Sequence, residues 1–274
     1  MFSLSFFATL ALVPFVASQT ALEIEGIKAH FSQSAIVPDL LASFNPSAFL
    51  SLNFPGVGEV KPGQLFAKEQ VSPTPTVTVT PQDTSVSLTG NYTLAMVDAD
   101  VVGSKLPEGQ NRHWLVNGVT INGSTVSNSS AVAITSYAGP WPAAGSGPHR
   151  YVVLLYSQPS TFKAPTAFSQ PNMGVTPFDF NGYVKDSGLG ALVAGTYFDV
   201  EEGTATASIS STSAVVSSTL TVPVSSQTQK ASTTTANNAA ATETSKTTSG
   251  ATGITAQWME FTVAAAGFAL TIFI

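Results

Sequence analysis

The sequence predicts a mainly β fold of packed sheets. Short segments rich in Val, Ile, Thr, Phe and Tyr recur along residues 48–201, Gly, Pro, Asn and Asp separate them, and a helical period shows in only two places. Taken in order, AFLSLNF at 48–54 alternates apolar with polar side chains, and PTVTVT at 75–80 alternates Val with Thr. TSVSL at 84–88 repeats that alternation, NYTLAMVD at 91–98 ends its apolar run on a carboxylate, and WLVNGV at 114–119 and AVAIT at 131–135 follow as strands. HRYVVLLYS at 149–157 and GTYFDVE at 195–201 complete the set, with short helices expected near 23–33 and 178–187. Such a pattern excludes a doubly wound α/β fold.

Chemistry-bearing residues concentrate between Tyr92 and Gln158. With a strand period of two, Leu94, Met96, Asp98 and Asp100 share a face, which places a carboxylate pair at a strand's mouth. On the strand from 149, His149 and Tyr151 share one face and Arg150 takes the other, where a buried or rim salt bridge is its expected role. The run YAGPWPAAGSGP before that strand reads as a structured loop, and the G-S-G turn at 145–147 can present backbone N–H groups to an anion. Imidazoles at His113 and His149 can donate to phosphate oxygens, while carboxylates accept from an ammonium or hydroxyl.

The motifs DADVV at 98–102, RHW at 112–114 and GPWPAAGSGPHRY at 139–151 resemble those of the phosphatidylethanolamine-binding proteins, and the chain is similar to a fungal-type secreted member. Further segments in the same order extend the likeness over roughly residues 22–203. The resemblance implies a large antiparallel sheet packed with a smaller sheet and a few short helices. It also implies a ligand pocket of Asp98, Asp100, His113, Gly139, Pro140, His149 and Tyr151, with Trp114 and Trp141 as candidate walls. A phospholipid head group or small anion is the implied ligand, and a serine carboxypeptidase an implied protein partner. No cofactor, metal or catalytic residue is implied. Ala99 and Val102 stand where the family usually has prolines, so this rim is expected to be less pre-organised.

The ends of the chain bear on location. Residues 1–18 read as a secretory signal peptide, apolar and closing on small residues Val16, Ala17 and Ser18. Residues 19–203 form the expected domain, about 185 residues, enough for one sizeable core. Residues 204–249 read as a Ser/Thr-rich stalk that cannot bury enough apolar surface to offset chain ordering. Residues 250–274 read as a removed glycosylphosphatidylinositol (GPI) signal, with Ser249 the first choice of attachment site and Gly250 and Asn238 behind it. Acceptor sequons at Asn91, Asn122 and Asn128 agree with the secretory route, and together these features predict an extracellular, membrane- or wall-attached glycoprotein.

Composition removes several classes. There are no cysteines, so thiol catalysis and cysteine-based zinc sites are excluded, and a secreted fold must be held by core burial alone. Ten Lys and Arg against a net charge of −6 exclude broad electrostatic binding to nucleic acid. Three readings stand: a noncatalytic surface binding protein, which leads; a structural wall or adhesion glycoprotein with a vestigial pocket, suggested by the stalk and the altered DADVV segment; and a metal-assisted hydrolase, suggested by two acids near two histidines.

Overall fold

The computed structural model describes residues 12–206, 208, 215, 216 and 219–222, with side chains from residue 19. The bulk of the expected stalk, the GPI signal with Ser249, and the first eleven residues of the expected signal peptide lie outside the described residues, while the expected boundary at residue 18 falls within the first helix.

Helix α1 (Leu12–Gln33) leads through a short α2 (Ile36–Asp39) into β1 (Ala48–Phe54), β2 (Gly58–Glu59), β3 (Leu65–Phe66) and β4 (Thr76–Pro81). There follow β5 (Asn91–Asp98), β6 (Gln110–Asn122), β7 (Thr125–Ser127), β8 (Val132–Thr135), β9 (His149–Gln158), β10 (Pro177–Phe178), helix α3 (Phe180–Asp186) and β11 (Leu192–Val200). The path runs β2-β1-β4-β7-β6-β5-β9-β11-β3, with β8 and β10 also on β6, and among the described residues only the β11–β3 pair is parallel. The 13-residue β6 serves two sheets, pairing β5 along most of its length and β7 at its far end. The mainly β architecture is thus what the alternation predicts, and the division into a larger and a smaller sheet is what the resemblance implies.

Both faces of the larger sheet are buried, as its near-continuous apolar strands require. Leu94, Met96, Tyr151, Val153 and Leu155 face the smaller sheet's Leu50, Leu52, Phe54, Val77 and Val79, while Ala95, Val97, Val152 and Leu154 face Ile27 and Phe31 of α1 and Phe180 and Tyr183 of α3. Ile24, Ile27 and Phe31 fall on one helical stripe, which is why α1 packs as it does. Its helix is longer than the segment expected at 23–33. The strand expected at 84–88 does not form: Asp83 accepts from the Ser85 backbone N–H at 2.8 Å, and this Asx turn outcompetes ladder pairing. β2, β3, β7 and β10 are too short to carry a periodic signal.

Arg150 sits between the larger sheet and the helical layer, 2% exposed, and uses its whole donor fork. Its Nε donates to the carbonyl of Asp100 at 3.0 Å, Nη2 to those of Ala99 and Val101 at 2.9 and 3.0 Å, and Nη1 to the Ser34 carbonyl at 2.7 Å and Asp39 Oδ2 at 3.1 Å. The expected salt bridge is therefore present, with Asp39. More consequential is the grip on three successive carbonyls of the loop that follows β5. Arg150→Met is expected to lower unfolding free energy by ~3–5 kcal/mol, because Asp39 and those carbonyls lose their partner, measured by urea denaturation.

Asp199, paired in register with Arg150, carries a buried Oδ1 that meets no donor. Burial pushes its carboxyl up to about 7, against the pull of the Arg150 charge. The folded state therefore holds a proton that the unfolded chain has released above about 4, so stability falls as pH rises from there towards 7 and then levels off. Asp199→Asn is expected to flatten this dependence and to gain on the order of 2 kcal/mol at pH 8 with little change at pH 4, read from thermal melts across pH.

Candidate functional site

The site lies where β5, β6 and β9 end together. β5 stops at Asp98, which lies opposite Tyr151 of β9. The expectation that the pleat alone aligns Asp98 with Asp100 is corrected here: Asp100 lies beyond the strand with a φ of 60°, donating its backbone N–H to Asp98 Oδ1 at 2.7 Å. Its own Oδ1 accepts from the Val101 N–H at 2.6 Å. A turn returns the second carboxylate to the site, and Asp is among the few residues that tolerate this conformation.

His149 joins the pair. Its Nδ1 lies 3.0 and 3.2 Å from the two Asp98 oxygens, and Nε2 lies 3.5 Å from Asp100 Oδ1 and 2.9 Å from Ser146 Oγ. Ser146 Oγ is also 2.6 Å from the Ala143 carbonyl, which can only accept, so the serine proton belongs there and its oxygen accepts from Nε2–H. With Nδ1–H donating to Asp98, this arrangement places protons on both ring nitrogens, the imidazolium form that the surrounding carboxylates favour. Burial works against that charge most strongly, but the hydrogen bond and charge of Asp98 together with the charge of Asp100 outweigh it and hold the pKa above its ordinary 6.5. The order Ser146, His149, Asp98 has the spacing of a hydrolase triad, yet a nucleophilic serine must give its proton to histidine, and this one gives it to a carbonyl.

His113 reaches the same place by an irregularity. β5 advances one residue, Met96 to Val97, while β6 advances two, Trp114 to Arg112, so His113 is the extra residue of a bulge. Its Nδ1–H donates to the Ala138 carbonyl at 3.0 Å, and burial, opposed by that bond and by Asp98, lowers its pKa, which keeps it neutral. The ring lies edge-on to Tyr151 at 5.1 Å and tilted to Trp141 at 4.9 Å. Ala138 donates back to the His113 carbonyl at 2.9 Å, which lays Gly139, Pro140 and Trp141 beside the histidine. Gly139 is required by close approach, since a Cβ there would lie 2.9 Å from the Cα of Ser72. Tyr151 is 0% exposed, and its hydroxyl makes no well-formed hydrogen bond, although the Asp98 carboxylate lies near enough to act on it; burial, reinforced by the charge and weak hydrogen bond of Asp98, pushes its pKa far up, so it stays an O–H donor.

The structure therefore brings together Asp98, Asp100, His113, His149 and Tyr151, bordered by Gly139, Pro140 and Trp141, the last 56% exposed. Trp114 is not a wall of this site. The bulge leaves it in the core, at right angles to Tyr137 with ring centroids 5.2 Å apart, and it lines a separate cleft with Pro75, Val77 and Leu94. Ser146 was missed as a side-chain contact because the G-S-G turn drew attention to its backbone; its hydroxyl three residues before His149 was the available signal. Asn91, Asn122 and Asn128 are all exposed. Among the described residues no three His, Asp or Glu side chains are grouped to hold a metal ion, and no helix is long and apolar enough to cross a membrane.

Comparison with known proteins gives this geometry a family. The family model for phosphatidylethanolamine-binding protein matches residues 56–198. CEN-like protein 1 of Nicotiana tabacum is 33% identical over 171 residues, covering 62% of this chain and 90% of that protein. A 26 kDa secreted antigen of Toxocara canis is 32% identical over 178 residues, 61% of this chain and 62% of that protein. Among solved structures, a carboxypeptidase Y inhibitor complexed with its cognate proteinase aligns with a TM-score of 0.55 at 22% identity, over 68% of this chain and 97% of that one, a likeness of fold. A match across more than half of the sequence, on a two-sheet fold whose strand ends gather the motif residues, shows that the chain belongs to the phosphatidylethanolamine-binding protein family.

Proposed function

We propose that this chain is a noncatalytic binding protein of the cell surface whose site takes a small phosphorylated zwitterion, such as the head group of a phospholipid. The observation that carries the reading is the His149 ring, held by Asp98, whose Nε2 is met by only a serine hydroxyl and, at 3.5 Å, Asp100, with the Tyr151 hydroxyl buried nearby against Asp98 and without a well-formed hydrogen bond. A phosphate oxygen suits the Nε2–H donor, and charge-assisted bonds of this kind are the strong ones. Asp100, half-buried at the rim, suits an ammonium. Trp141 and Pro140 supply an apolar edge. The surface location rests on the apolar leader, the sequons on exposed asparagines, the Ser/Thr-rich segment and the carboxy-terminal attachment signal.

Calorimetric or NMR titration of the intact chain with O-phosphorylethanolamine is expected to show one site, weakened about tenfold or more by His149→Ala and by Tyr151→Phe. Affinity is expected to fall as pH rises through the raised His149 pKa, because the imidazolium loses the proton that it would donate to the ligand. Equal heats for wild type and His149→Ala, or no shift of any site resonance, would remove this reading.

A proteinase partner is a second reading, supported by the inhibitor solved with its cognate proteinase. Inhibition of a serine carboxypeptidase by the intact chain tests it, and unchanged peptidase rates at saturating chain count against it.

A further inference from the structure

The segment that leaves β11 does not depart from the domain at once. Glu202 O accepts from Gly145 N–H at 2.8 Å, and Thr206 returns two bonds to the Gly145 carbonyl, from its N–H at 2.9 Å and its Oγ1 at 3.1 Å. Glu202 is further tied to Lys68 at 2.8 Å, and the Ala205 N–H donates to Glu201 Oε1 at 3.2 Å. Gly145 has a φ of 79°, and a Cβ there would lie 3.0 Å from Thr206 Cγ2, so the fit depends on glycine. Residues 201–206 thus pin both backbone groups of the residue preceding Ser146, whose hydroxyl covers His149 Nε2 at 2.9 Å.

From this geometry we infer that residues 201–206 form a strap that holds Ser146 as a built-in cap on the anion-binding nitrogen of His149, so that the start of the Ser/Thr-rich segment controls access to the site. The inference rests on the head-group reading of that site. An incoming phosphate oxygen needs the direction from Nε2 that the serine oxygen occupies, and it takes that direction only when the 143–147 loop shifts. The strap opposes the shift through three hydrogen bonds to Gly145 and an ion pair. Whatever displaces the Ser/Thr-rich segment, whether tension, cleavage or modification of Thr206, uncaps the imidazolium.

The test uses full-length chains. Thr206→Pro removes both donors to the Gly145 carbonyl, Thr206→Ser keeps both, and Ser146→Ala removes the cap itself. In the absence of ligand, the imidazole ¹⁵N resonances of His149 are expected to move in Thr206→Pro and stay in place in Thr206→Ser. O-phosphorylethanolamine is expected to bind Thr206→Pro and Ser146→Ala about three- to tenfold more tightly than wild type, the range that one or two released hydrogen bonds can supply, with no further gain in the double variant. Unmoved His149 resonances in Thr206→Pro would overturn the strap. So would weaker ligand binding in that variant, which would make the segment a support of the site and not its cover. If no variant binds the ligand but the ring resonances still move, the head-group reading fails and the strap stands.

Discussion

One buried cation holds the site in shape from behind. Arg150 and His149 are neighbours on β9, so the pleat sends their side chains to opposite faces. The arginine grips the carbonyls of Ala99, Asp100 and Val101 while the histidine binds the carboxylates of Asp98 and Asp100. A planar fork meeting three carbonyls restrains a loop in a way that a lysine, having no rigid fork, could not. This supplies the pre-organisation that Ala99 and Val102 do not. The cost is a buried charge, offset by Asp39 and by four hydrogen bonds to backbone carbonyls. The left-handed turn at Asp100 is maintained by the same contacts, since both its carbonyl and its N–H are taken.

The fold was legible because burial on both faces leaves a strong imprint. Residues such as Val152, Val153, Leu154 and Leu155 have to be apolar whichever sheet face they meet, and turn residues mark where each strand ends. Elements of two or three residues were invisible, since no period can be read in them. TSVSL at 84–88 shows a local rule defeating a periodic one: Asp83 offers the backbone a turn closer in sequence than any partner strand. Asp98, His113, His149 and Tyr151 were legible as site residues through their motifs, but not the means by which they meet. His113 depends on a bulge and Asp100 on a positive φ, and neither departs from ordinary sequence in a way that alternation registers. Trp114 was misplaced for the same reason, because a bulge decides which face a residue takes.

Under the proposed head-group reading, the charges of the site favour one class of ligand. Asp98 and Asp100 contribute two negative charges and His149 one positive, with His113 neutral and Arg150 matched by Asp39. The immediate site is therefore net negative, and a free phosphate dianion entering it would be attracted by one imidazolium while opposed by two carboxylates within a few ångströms. In a partly dehydrated cleft such like-charge terms reach several kcal/mol. Asp98 is committed to His149 through both oxygens, so it acts on a ligand mainly by keeping that ring protonated. Asp100 is different: half-buried, with one oxygen accepting from Val101 and only a long contact to Nε2, it can turn its charge towards a cation. A molecule carrying a phosphate and an ammonium a short linker apart converts the Asp100 repulsion into attraction. Tyr151 favours the same ligand, because a neutral hydroxyl donor lowers the cost of bringing in a phosphate without adding a charge that would repel the ammonium. On the proposed head-group reading, selectivity for a zwitterion over inorganic phosphate would come from one imidazolium and one rim carboxylate, more than from the shape of the aromatic rim.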